Sequence, residues 1–197
     1  MGSYSKAEHE VLKSQVAIDG PVASGKTAVG RAVSRDLKWK FLDTGIMYRA
    51  ATRIILDLGI SPENNSKIIE VVRETSIELD DSPHSERIFI DGIDKTDTLR
   101  TPEIDRTVST ISKIPAVRKE LVNQQRTIAD RGPIVMVGRD IGSVVLPAAD
   151  VRLYLDASVE VRAERRYRER AGTETVSYTH LRAHETDSYL VCRLLLE

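Results

Sequence analysis

Short apolar runs alternate along this chain with longer stretches of helical periodicity. Residues 15–19 (Gln-Val-Ala-Ile-Asp) make a run of strand length that ends directly on Gly20. From Gly25 to Leu37 the apolar positions Ala28, Val29, Ala32, Val33 and Leu37 predict one stripe of an amphipathic helix. A second strand is predicted over 39–42, then a helix from about 46 to 58 that stops at Gly59. Ser61-Pro62-Glu63 has the form of another helix start, with Ser61 as cap and Pro62 in the first turn.

Between residues 75 and 98 the texture changes. Two β-prone pieces, 77–79 and 88–90, are separated by Asp80-Asp81-Ser82-Pro83, and Asp91-Gly92 signals a turn after the second. This reads as a small β-rich insertion at about 75–98. Helical spacing resumes with Ile104, Val108 and Ile111, and again from 117 to about 129. Residues 134–137 and 151–155 are the next strands, and Ser158 can cap a charged helix over 159–170. Strands alternating with helices predict an α/β domain with a parallel sheet.

Charge and composition narrow the function classes. Lys and Arg total 29 against 30 Asp and Glu, a net charge of -1. That balance argues against a nucleic-acid or membrane-surface role, both of which favour a basic excess. The single cysteine, Cys192, allows neither an internal disulfide nor a cysteine-based zinc site. No apolar run approaches the roughly 18 residues of a membrane span. Residues 1–14 read as a polar leader without the apolar centre of a signal peptide, so a cytoplasmic location is expected.

The sharpest motif follows the first strand. Gly20-Pro21-Val22-Ala23-Ser24-Gly25-Lys26-Thr27 fits G-x-x-x-x-G-K-[ST] without mismatch, between a strand and a helix. Glycines let successive backbone N–H groups converge on one anion, and the helix N-terminus adds partial positive charge. Lys26 can reach the β- and γ-phosphates of ATP, and the Thr27 hydroxyl can join a magnesium shell. A GTPase also needs Asp-x-x-Gly and Asn-Lys-x-Asp signatures, and the chain has neither.

Further blocks stand in collinear order over 16–170. They are Ile18-Asp19-Gly20-Pro21, Leu42-Asp43-Thr44-Gly45-Ile46-Met47-Tyr48-Arg49, Leu99-Arg100-Thr101-Pro102-Glu103, Ile114-Pro115-Ala116-Val117-Arg118, Gly138-Arg139-Asp140-Ile141-Gly142 and Leu155-Asp156-Ala157-Ser158. Together they resemble bacterial cytidylate kinase. The resemblance implies a P-loop sheet flanked by helices, with the insertion as the part that binds the nucleoside monophosphate. It implies transfer of the ATP γ-phosphoryl group to CMP or dCMP, with Mg2+, by one chain acting as a monomer. It also implies that Ser109, Arg118 and Asp140 read the cytosine, and that Arg49 and Arg139 hold the acceptor phosphate. Asp43 resembles the family's acidic residue facing acceptor and magnesium; as Asp before a periodic stretch it also suits a helix cap. Met47 and Tyr48 read as core or pocket wall. Arg162, Arg165, Arg166, Arg168 and Arg170 read chiefly as a solvated helix face near a C-terminus.

Residues 175–197 match nothing in the family pattern, which continues into a lid carrying arginines and aspartates and then a closing strand and helix. They resemble translated vector or adapter read-through, so a foreign tail is expected, with impaired activity in the chain as written. His180 and His184 have i, i+4 spacing but no evident third ligand, and no metal site is expected there. Two other readings stay open: another P-loop kinase, acting on a different nucleoside monophosphate or on shikimate, and a non-catalytic ATP-binding module.

Overall fold

A computed structural model describes residues 14–80, 85 and 87–170 of the 197. In chain order the elements are β1 (Gln15–Asp19), α1 (Lys26–Leu37), β2 (Lys40–Asp43), α2 (Thr44–Asp57), α3 (Asn65–Glu74), β3 (Ile77–Leu79), β4 (Ile88–Ile90), β5 (Ile93–Asp94), α4 (Pro102–Ser112), α5 (Pro115–Ala129), β6 (Ile134–Gly138), β7 (Val151–Tyr154) and α6 (Val159–Arg170). A 3-10 turn covers Thr96–Thr98, and a one-turn π-helix covers Ile141–Val145.

The main sheet has the order β2-β6-β1-β7, and its three pairings are all parallel. This is the helix-flanked parallel sheet that the alternation of runs predicts. Side-chain alternation supplies both faces at once. On β1, Val16 and Ile18 enter a smaller cluster with Phe41, Val135 and Val137, while Ala17 faces the larger core. The larger core gathers α2, α3, α4 and α5 residues such as Met47, Ile55, Ile68, Ile111 and Leu121, all fully buried. A separate three-stranded antiparallel sheet, β3-β4-β5, turns at Asp91 and Gly92, both at positive φ.

Two expectations need correction. The apolar stripe of α1 is not its buried face: Val29 and Leu37 are exposed, and the buried residues are Gly30 and Ser34. A Cβ on Gly30 would stand 2.4 Å from Val137 Cγ1 and 2.9 Å from the Phe41 ring. The helix therefore sits on β6 and β2 at a distance that excludes larger side chains. Secondly, α3 starts at Asn65 rather than near Ser61. Asn64 Oδ1 accepts the Lys67 N–H at 3.1 Å, a true N-cap, whereas Ser61 Oγ only closes a local turn onto the Glu63 N–H.

All four parallel strands end on the same side of the sheet. Their C-terminal ends deliver Gly20, Asp43, Arg139 and Leu155 to one edge, where α/β sheets place their ligands.

Candidate active site

The loop between β1 and α1 has the backbone that its glycines predict. Gly20 takes φ +148, and a Cβ there would meet the Leu155 carbonyl oxygen at 2.1 Å. Ala23 and Gly25 are also left-handed, at φ 59 and 102. The Ser24 hydroxyl is buried within this loop without a protein partner, an orphaned donor that suits an anion held by the loop. These features fit the phosphates of a nucleotide at the N-terminus of a twelve-residue helix.

Lys26 bends back over the loop, donating from Nζ to the Pro21 carbonyl at 2.5 Å. Burial pushes its ammonium pKa down to about 8; Asp43 and Asp19 oppose that shift, and the nearby Arg139 and Arg162 add to it. The Thr27 hydroxyl donates to Asp43 Oδ2 at 2.8 Å. Asp43 Oδ1 accepts the Gly45 N–H at 3.1 Å and caps α2. One carboxylate thus caps a helix with one oxygen and meets the phosphate loop with the other.

On the neighbouring strand end, Asp140 follows β6 in a left-handed conformation, φ 60. Its Oδ2 pairs with an Arg118 guanidinium nitrogen at 3.1 Å. The Tyr48 phenol beside this pair has its pKa raised, by burial first and by Asp140 as well, with Arg118 opposing. Met47 is fully buried, so both residues of that pair serve as wall and core. Arg139 is exposed at the strand end. Arg49 is held from the side: one nitrogen donates to the Leu99 carbonyl at 3.1 Å, and another pairs with Asp105 on α4 at 2.6 Å. Ser109 lies exposed one turn beyond Asp105. Among the described residues no hydrogen bond joins it to Arg118 or Asp140.

The α6 arginines depart from a uniformly solvated face. Arg162 is fully buried, its Nε donating to the Ala157 carbonyl. Arg165 reaches back to the phosphate loop and donates to the carbonyls of Ala23 at 3.1 Å and Ser24 at 2.9 Å. Sequence reasoning also missed Asp19, whose carboxylate accepts the N–H groups of Ile141 and Gly142. The place of Asp19 just before Gly20 was a usable signal. For Arg165 there was none, since its partners lie more than 140 positions away.

Among the described residues no group of three or more His, Cys, Asp or Glu gathers as a metal cage, and no helix is long and apolar enough to cross a membrane. His180, His184 and residues 175–197 lie outside the described residues.

A backbone cradle for phosphate beside a row of cations at the strand ends places the protein among the P-loop kinases. Sequence comparison narrows this. A family model described as Cytidylate kinase matches residues 16–186. The chain belongs to the cytidylate kinase family. It is 43% identical over 169 residues to a cytidylate kinase of Limosilactobacillus reuteri (strain DSM 20016), covering 85% of this chain and 74% of that protein. With the cytidylate kinase of Geobacillus kaustophilus (strain HTA426) identity is 44% over 154 residues, covering 78% and 69%. With that of Pediococcus pentosaceus it is 45% over 157 residues, covering 80% and 70%. The family match passes residue 174, where the sequence pattern had suggested that the kinase portion ends.

Proposed function

We propose that the protein transfers the γ-phosphoryl group of ATP to CMP or dCMP, giving CDP or dCDP. The observation that carries this reading is the adjacency of two half-sites. The phosphate loop leaves β1, and the Arg139-Asp140 segment leaves β6, its hydrogen-bonded neighbour. Asp140 can accept the hydrogen bonds of cytosine's exocyclic amine, with Arg118 orienting it. Ser109 would complete base recognition from α4.

The acceptor phosphate is already ionised at neutral pH, so no general base is needed. The barrier lies in joining two polyanions and spreading the charge of the moving group. Lys26, Arg139 and Arg49 would supply that charge. Thr27 and Asp43 would hold Mg2+, which would neutralise developing charge on the phosphates. Their hydroxyl and carboxylate are hard oxygen donors, and magnesium usually takes only one or two protein ligands beside substrate phosphates. Both half-sites come from one chain, so a single protomer would suffice for the reaction, and we place it in the cytoplasm with its nucleotide substrates.

A coupled assay with CMP, dCMP, UMP, AMP and GMP as acceptors tests the reading. The cytosine nucleotides should exceed the others in kcat/KM by roughly ten- to a hundredfold, the size of one good polar base contact. ATP binding without transfer to any acceptor would support a non-catalytic module instead. Although the family match runs on to residue 186, we further read residues 175–197 as a foreign tail that leaves turnover weak. CMP turnover equal to that of the Limosilactobacillus reuteri relative would refute this.

A further inference from the structure

We propose that Asp19 is a positioning residue for acceptor specificity, setting Asp140 against the phosphate loop without itself touching the acceptor. The inference rests on the reading of Asp140 as the group that recognises cytosine.

Asp19 is the last residue of β1, in register with Gly138 of β6 and directly before Gly20. Its two carboxylate oxygens are divided: Oδ1 accepts the Ile141 N–H at 2.6 Å, and Oδ2 accepts the Gly142 N–H at 2.8 Å. Those are first-turn donors of the π-helical turn, which have no partner within the turn. Ile141 and Gly142 are buried, so water is poorly placed to replace the carboxylate. Gly142 fits closely against it, since a Cβ there would stand 3.3 Å from Asp19 Oδ2 and 3.2 Å from Arg152.

The residue immediately before this clamp is Asp140, at φ 60 and ψ 27. That region is uncommon for any residue but glycine, although aspartate enters it more readily than most, and here hydrogen bonds on both sides hold it. On one side, the Asp140 carbonyl accepts the N–H groups of Val144 and Val145. On the other, Asp19 anchors the two residues that follow. The backbone that aims the Asp140 carboxylate is therefore tied to the strand that launches the phosphate loop. The Asp19 charge also reaches Lys26 inside that loop. Donor and acceptor halves share this one side chain.

The decisive variant is Asp19→Asn, which keeps the shape but turns an NH2 group toward one of the two N–H donors. Acceptor choice should respond although Asp19 is absent from the acceptor contacts. The ratio of kcat/KM for CMP over UMP is expected to fall roughly tenfold, the effect of one lost charge-assisted hydrogen bond. The KM for CMP should rise more than that for ATP. Asp140→Asn should lower the ratio too, and the double variant should lower it no further, because Asp19 acts through Asp140. Gly142→Ala, which pushes a methyl toward the carboxylate, should give the same loss and serves if Asp19→Asn fails to fold by circular dichroism. A wild-type protein without preference for CMP over UMP overturns the acceptor reading and this inference together. A wild-type preference that survives Asp19→Asn, or effects that add in the double variant, overturns this inference alone.

Discussion

Lys26 shows what burial does to a single charge. Its ammonium, held near pKa 8 by desolvation, regains a favourable partner when phosphate enters the loop. Binding must then take up a proton above pH 8. ATP affinity is expected to be flat near neutral pH and to fall by up to about tenfold per unit above about pH 8. Calorimetric titrations in two buffers of different ionisation enthalpy would show the proton uptake, and a flat profile to about pH 10 would refute it. The folded pKa lies below the ordinary value of 10.5, so the folded chain binds fewer protons than the unfolded one between about 8 and 10.5. Nucleotide-free stability should accordingly rise with pH through that window. Asp43 spreads its charge differently, capping α2 with one oxygen and accepting the Thr27 hydroxyl with the other.

Elements obey local chemistry where caps decide them. Thr101 caps α4 with Pro102 in its first turn, and Ser158 caps α6 by accepting the Val161 N–H, both from signals plain in the chain. At α3 the Ser61-Pro62 signal misplaces the start, and the structure caps the helix with Asn64. Asn64→Ala should therefore cost about 1 kcal/mol of stability and Ser61→Ala close to none, read from urea midpoints. Equal losses would mean that the turn at Ser61 belongs to the cap. In the insertion, Asp94 is held at a pKa of about 2, first by the Thr96 hydroxyl and backbone and then by Arg87. This network ties the β4–β5 turn, and its contribution is present above the ordinary carboxylate pKa of 3.8 and lost as pH falls toward 2. The face of α1 was not legible. Periodicity assigns the apolar stripe to the core, yet contact distance decided for Gly30 and Ser34, and no helical wheel encodes how closely a sheet will approach.

At the scale of the molecule, the two hydrophobic clusters share the same strands. Ile134 and Met136 face the larger cluster, and Val135 and Val137 the smaller. Neither face can be lost while the other keeps its sheet. Trp39, the only tryptophan, packs against the smaller cluster, whereas most helices cover the larger. Urea unfolding followed by Trp39 fluorescence and by far-UV circular dichroism should give coincident midpoints. Separate midpoints would show that α1 and its cluster unfold on their own.

By itself the chain determined the strand–helix alternation, the phosphate loop and the family, because these rest on local periodicity and contiguous residues. Local rules suffice there, since a P-loop needs only its own backbone and the helix that follows. What the tertiary structure decided is which distant groups meet. It set Arg165 on the loop carbonyls, buried Arg162, tied Arg49 to Asp105 and brought Asp19 to the turn after Asp140. Those contacts span 56 to 142 positions or join separate helices, and only the parallel order of the strands brings their ends to one edge.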